Sequence, residues 1–518
     1  MKLNQLKIGS LLSYLQMGLG VIVGICYTPV MIRLLGPSEY GLYNTVSSTI
    51  AMMSVLSLGF NSSYIRFYSK HKKENDRESI YKLNGLFLSI YLVIALVVLL
   101  CGIFLAANLN LVFDEGLTAA EYEIARVLML LLTVSLAISF PMSVFSSIIS
   151  AHERFIFLKL LGIGKTVVSP LVTLPLLLLG YRSIAMVAVT VSVTLAVDLS
   201  YLVYTVFVLK QRFRLGKLEA GLTRSLFSYT AFIAINMLID QINSNLGKVV
   251  LGRYKGTEAV SIYSVGYALF HYYQMFSVSI SSVFTPRIHA IVRTVGDNKN
   301  WLRKELTALF IKVGRIQFLI LGLVASGVIF FGKPFIVSFW AGEGYRESYY
   351  VAVLLILSIS VALIQNLGIE IQRAENKHRF RSIVYGGMAL LNLGMMVVFS
   401  QMYGAIGAAI GTAVSLVVAN GLVMNIYYHK RCYIDIIAFW KSIGRLSVGL
   451  LLPIGVGIAL NYLLDLDRIR YLLLGIVVYT AVYCLSMWFT AMNRSEKELL
   501  LKPMRKILSV FKRRGEKV

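Results

Sequence analysis

Hydrophobic residues along this chain fall in long runs, separated by short polar links. A helix needs about twenty mostly apolar residues to cross a bilayer. Runs of that length lie near 10–32, 41–65, 83–106, 124–149, 158–180, 184–209, 227–251, 259–284, 308–332, 348–370, 382–401, 404–427, 443–463 and 471–491. They predict an all-α polytopic membrane protein with about fourteen transmembrane helices. The longest polar links run to about twenty residues, too short to fold as a soluble domain.

The pattern repeats after about 222 residues, in the order of the runs. "GPSEYGLY" ending at Tyr43 returns as "GTEAVSIY" ending at Tyr263. Arg66, after the second run, matches Arg287, after the eighth. "AHERF" ending at Phe155 returns as "AENKHRF" ending at Phe380, and "GYRSIAMVAVT" from Gly180 returns as "MYGAIGAAIGT" from Met402. The repeat predicts two pseudo-symmetric six-helix lobes, at 1–209 and 210–430. An appended helix pair at 431–491 and a basic tail at 492–518 follow. An even number of helices per repeat gives both lobes the same orientation, so their symmetry axis runs along the membrane normal.

Composition sharpens the class. The chain is 57% hydrophobic and 14% charged, whereas soluble domains carry about 25% charged residues. The +25 net charge is concentrated on alternate links. The link after the second run holds Arg66, Lys70, Lys72, Lys73, Arg77 and Lys82, and the links after runs six, eight and ten are similarly basic. The link after the third run has no Lys or Arg from Ala107 to Glu123. Basic loops stay in the cytoplasm, so both termini are expected there. Charge spread over one membrane face points to anionic lipids rather than nucleic acid. In the tail, Met504, Ile507, Leu508 and Phe511 at helical spacing beside Arg505, Lys506, Lys512 and Arg513 fit either an interfacial helix or a plain basic tail.

Ionisable residues inside spans are costly and face protein or water. On the seventh run, at about 100° per residue, Asn236, Asn243, Gly247 and Asp240 share one side. Ser244, Lys248, Gln241 and Asn245 continue the polar arc, and Leu238, Ile239, Ile242, Leu246, Val249 and Val250 fill the remainder. Such a helix needs a polar surround over most of its circumference. Asp240 is the coupling-ion or substrate candidate, and a buried carboxylate satisfied by a neighbour is the alternative. Lys248 can bind substrate or snorkel to headgroups. Lys165 in run five has the same two readings. Asp198 in run six is a second ion-coupling candidate, although helix packing is favoured there. Arg66 and Arg287 are flanking cations by position, with a phosphate-facing role as the sharper alternative. Gln365, Asn366, Glu370, Asn392 and Asn420 read as interhelical hydrogen-bond formers, and Trp301, Trp340 and Trp440 as interface anchors.

Four cysteines lack ligand or CxxC spacing. The six histidines are scattered, with no Walker A or HExxH sequence. No metal, cofactor or catalytic residue is expected, and transport would draw on an ion or substrate gradient.

The segments "LLGPSEYGLYNTV", "AHERF" and "GTEAVSIYSVGYAL" resemble the polysaccharide biosynthesis (Wzx-type) oligosaccharide flippases of the multidrug/oligosaccharidyl-lipid/polysaccharide exporter superfamily. The resemblance covers about residues 1–430. It implies two six-helix lobes, alternating access, and an undecaprenyl-pyrophosphate-linked oligosaccharide as substrate. It also implies the bacterial cytoplasmic membrane, with H+ or Na+ as a coupling ion and a polysaccharide polymerase as a partner. A lipid II flippase shares this logic, but that group carries several arginines on its early helices, and run one has none before Arg33. A cation-coupled multidrug extruder using Asp240 and Asp198 is the main alternative. A non-transporting envelope-assembly scaffold is another, but it has no need of a polar seventh helix.

Overall fold

The computed structural model describes residues 4–57, 59–74, 76–113, 117–216, 220–294, 299–375, 377–498 and 501. The proposed tail helix over 504–513 lies outside them. Among the described residues the chain is helical with no strand, and ten helices are long and apolar enough to cross a membrane. Two of these, over 5–73 and 379–431, each contain two of the apolar runs, and the helix Ala220–Thr294 also holds two. A glycine breaks each one.

We therefore label the helices by their breaks. α1 covers 5–35, parted at Gly36 (φ 79°, ψ 166°) from α2, which runs from 37 to a 3-10 turn over Met53–Ser57 and resumes as Phe60–Lys73 after Gly59 at φ 68°. α3 is Arg77–Ala107, α4 Ala119–Ala151, α5 Phe155–Leu178 and α6 Ser183–Val203, the last extended by a π-helical turn to Val208. α7 covers 220–255 and α8 257–294, parted at Gly256 with φ 79° and ψ −179°. α9 is Lys299–Pro334, with a π-helical turn to Trp340, and α10 is Arg346–Ile364. α11 covers 378–403 and α12 405–431, parted at Gly404 with φ 56°. α13 covers 436–463 and α14 is Ile469–Ser486. Each apolar run of the sequence thus falls on a helix.

Gly36 and Gly256 open the two copies of the first repeated signature and adopt the same backbone conformation. A positive φ with ψ near 180° is open almost only to glycine. The repeat is therefore structural at this point: each copy breaks its helix on a residue without a Cβ.

Two compact units emerge. The first comprises 1–267 and 385–415, the second 268–384 and 416–518. This partition of contacts differs from the repeat in sequence, because α7, the start of α8 and most of α11 lie in the first unit.

In the first unit an aromatic core joins α2, α3 and α4. Phe60, Tyr64, Phe87 and Tyr91 are 1% exposed or less. Phe87 meets Tyr64 and Phe60 edge-on, with centroids at 5.3 and 5.9 Å. Edge-on pairs add about 0.5–1.5 kcal/mol beyond burial. In the second unit α13 and α14 pack on α9: Phe439 lies 4.8 Å from Phe310, and Tyr483 donates to the Leu319 carbonyl at 2.8 Å. Arg315 of α9 is buried and held by Glu496 and the Ala491 carbonyl. The Glu496 carboxylate accepts from the Asn493 amide and the Asn493 side-chain oxygen from the Glu496 amide, both at 2.9 Å, a capping box that fixes the carboxylate. The segment that follows α14 is thereby fastened to α9 by a charge pair shielded from solvent. Trp340, expected at a membrane interface, is buried at 2% exposure and stacked on Phe335.

Candidate functional site

Helix α7 keeps the predicted polar side, and the structure says what meets it. Asn392 of α11 donates to Asn243 at 3.4 Å. Asn245 donates to Gln241 within the helix at 2.6 Å. Gly247 is buried, and a Cβ there would stand 3.0 Å from Met396 and 3.1 Å from the Tyr263 hydroxyl. The missing side chain lets α8 and α11 close on α7. Tyr263 and Tyr267 stack with centroids 5.8 Å apart, and the Lys248 Nζ sits 5.2 Å from the Tyr267 centroid. A cation over a tyrosine face is worth about 0.5–2 kcal/mol. Lys248 thus lies on an aromatic platform of α8 rather than simply extending along its own helix. Tyr267 also hydrogen-bonds Ser244.

Asp240 is exposed and Asn236 half-buried, both engaged with neighbours. Within the apolar arc of α7, Ile239 and Val250 are buried, each 7% exposed. A Cβ on Gly386 of α11 would lie 3.4 Å from Ile239. Angular position on an isolated helix does not record a neighbour from 150 residues away.

Lys165 and Asp198, separate candidates in the sequence, come together. Ser139 of α4 donates to the Asp198 carboxylate at 2.8 Å, and the charges of Lys165 on α5 and Asp198 on α6 interact. Both are half-buried. One group of three helices thus holds a carboxylate, an ammonium and a hydroxyl. Arg66 on α2 and Arg287 on α8 are both exposed, 30 and 31 residues past their glycine turns.

Sequence reasoning missed a polar knot at the Gly36 turn. Glu39 is buried at 6% exposure, accepts from the Ser183 amide at 2.8 Å, and pairs with Arg182 at 2.5 Å. Arg182 also donates to the Leu35 carbonyl. Two of the repeated signatures, "GPSEYGLY" and "GYRSIAM", therefore bind each other. Beside the knot, Ser38 bonds Glu121 of α4 and Thr257 of α8, the latter at 3.0 Å. A Cβ on Gly41 would run into the Thr257 carbonyl. Farther along α2, Ser63 meets Thr230 of α7 at 2.8 Å, and Gly59 leaves room for Ile233. The first repeat touches the second at two places along α2, through small or hydroxyl residues of the first repeat, which let backbones approach. Among the described residues no three of His, Cys, Asp and Glu gather as a metal site.

A long all-helical chain with paired glycine turns and a polar seventh helix defines a multi-pass membrane protein of transporter-like fold. The polysaccharide biosynthesis protein family matches residues 8–292. Bacillus subtilis (strain 168) has a relative, the uncharacterized membrane protein EpsK, that is 21% identical over 94% of this chain and 96% of its own length. The fold is similar to lipid II flippase MurJ in an inward closed conformation, with TM-score 0.70 and 16% identity over 92% of this chain and 97% of that one. It is also similar to an inward-facing multidrug resistance transporter of the MATE family of the MOP superfamily, with TM-score 0.61 and 14% identity over 82% and 94%. The chain belongs to the polysaccharide biosynthesis protein family.

Proposed function

We propose that this protein moves a lipid-linked oligosaccharide, on undecaprenyl pyrophosphate, across the bacterial cytoplasmic membrane by alternating access. The observation that carries this reading is the contact between the two repeats through serine, threonine and glycine at two places along α2, next to a polar α7. Contacts of that kind separate at little cost, because few apolar groups are exposed when they part. The lipid tail stays in the bilayer while the sugar-bearing head passes the polar side. Asn236, Asp240, Asn243 and Lys248 are the residues offered to it, with Lys165, Arg66 and Arg287 as further cations. Asp240 and Asp198 are the carboxylates offered to a coupling H+ or Na+. Anionic lipids meet the basic face, which the positive-inside pattern assigns to the cytoplasm together with both termini. A polymerase acting on the exported unit is the expected partner.

The two carboxylates keep a second reading open, a cation-coupled drug extruder. The test traces labelled lipid-linked oligosaccharide into inverted vesicles from cells with and without the gene. Gene-dependent uptake is the expected result. Unchanged uptake with loss of dye efflux in the deletion assigns the protein to extrusion. In the same vesicles Asp240→Asn should cut the rate about tenfold or more if that carboxylate couples to an ion. Full activity would make it a packing residue.

A further inference from the structure

Where α2, α3 and α6 end on one side, the first unit contains a cavity of about 770 Å³. It is lined by Lys72, Arg77, Lys210 and Arg212, with Tyr68 and His152 at its wall. All four cations are exposed. Among the described residues none has a carboxylate within salt-bridge distance, because the nearby acids are used elsewhere. Glu78 pairs with Arg214 and Lys82, Glu74 with His71, and Asp76 caps α3 through the Ser79 amide. Asp76 is held below the usual carboxylate range by those Ser79 hydrogen bonds, so it is occupied as a cap.

Like charges left to themselves spread apart, yet these are held together. The segment 209–216, which carries Lys210 and Arg212, is tied down on α3. Asn84 donates to the Arg212 carbonyl at 3.0 Å, and the Arg214 amide donates to the Tyr81 carbonyl at 3.0 Å. A Cβ on Gly85 would strike the Arg214 carbonyl, so glycine is required for the approach. Lys210 takes a left-handed conformation, φ 50°, which disfavours any residue with a Cβ. On the other wall Lys72 lies 5.7 Å from the Tyr68 ring centroid, and Tyr68 bonds His152 at 3.0 Å. Tethers, a strained lysine and a required glycine all act to hold four positive charges around one opening.

We infer that this cavity is an anion site that takes a phosphate or diphosphate group. Two arginines suit the paired oxygens of a phosphate, and two lysines supply point charges. The same chemistry is offered by a phospholipid headgroup and by a soluble phosphate ester. The site does not depend on the transport reading.

The assay is thermal unfolding of the purified full chain in neutral detergent at low salt, with inorganic pyrophosphate as the probe. Arg77→Gln/Arg212→Gln should raise the midpoint without anion, because self-repulsion is relieved. The same double variant should weaken pyrophosphate binding about tenfold or more, as expected for losing two charge-assisted contacts. Lys70→Gln/Lys73→Gln removes as much charge from outside the cavity and should leave binding unchanged. Gly85→Ala keeps every cation but displaces the tethered segment, and should also weaken binding. Nanodiscs name the source. Loss of the pyrophosphate response in phosphatidylglycerol, but not in phosphatidylcholine, identifies a headgroup, and a response kept in both identifies a soluble phosphate. A wild-type response no larger than that to chloride of equal ionic strength overturns the inference. So does an undiminished response in Arg77→Gln/Arg212→Gln.

Discussion

At the scale of single residues, buried polar groups with few partners carry the most information. Glu39 satisfies the Ser183 amide and pairs with Arg182. Replacing it by alanine leaves that amide without its acceptor, which costs about 1–3 kcal/mol. The thermal midpoint of Glu39→Ala should fall measurably, and Glu39→Gln, which keeps an acceptor, should fall less. His152 offers a pH test. Burial holds its pKa below the ordinary histidine value, helped by the positive charges of Lys72 and Arg154, although its bond to the Ile148 carbonyl acts the other way. The folded state therefore binds a proton less readily than the unfolded chain. This contribution to stability is complete above the ordinary value of 6.5 and is lost as pH falls through the lowered one. Between pH 7.5 and 5.5 the wild-type midpoint should drop more than that of His152→Gln. Equal drops would remove His152 from the account. The Glu39–Arg182 pair was not legible in the sequence, because residues 143 apart give no local sign of meeting.

At the scale of elements, the glycine turns decide where the helices break. Gly36 and Gly256 both hold φ 79°, and any other residue there pays about 1–3 kcal/mol in backbone strain. Gly36→Ala and Gly256→Ala should each lower stability by that order, measured by thermal unfolding in detergent. The control Gly18→Ala, where a Cβ meets nothing within 4 Å, should be neutral or slightly stabilising. These turns were legible because the same signature occurs twice and glycine opens each copy. The polar side of α7 was legible from periodicity, since 3.6 residues per turn gathers Asn236, Asp240 and Asn243. Its partners were not. The contact of Asn243 with Asn392, the closing of α11 over Ile239, and the tyrosine platform under Lys248 all come from helices distant in sequence.

At the scale of the whole molecule, membership of the polysaccharide biosynthesis protein family agrees with the resemblance carried by the segments around Gly36, His152 and Gly256, and the all-helical fold with what composition leads one to expect. The all-helical, multi-pass character was legible because bilayer thickness sets helix length. The contacts between the repeats were hidden, because serine, threonine and glycine are common in any transmembrane helix. Those contacts bear most directly on the proposed function, since alternating access would require them to break. Ser38 and Thr257 place their hydroxyl oxygens 3.0 Å apart, within reach of a disulfide. Ser38→Cys/Thr257→Cys, in a background with Cys26, Cys101, Cys432 and Cys484 replaced, joins α2 to α8 when oxidised. Translocation of labelled lipid-linked oligosaccharide in vesicles is then followed before and after reduction. The account predicts that transport stops in the oxidised protein and returns with reductant, while full transport through the crosslinked protein would contradict it.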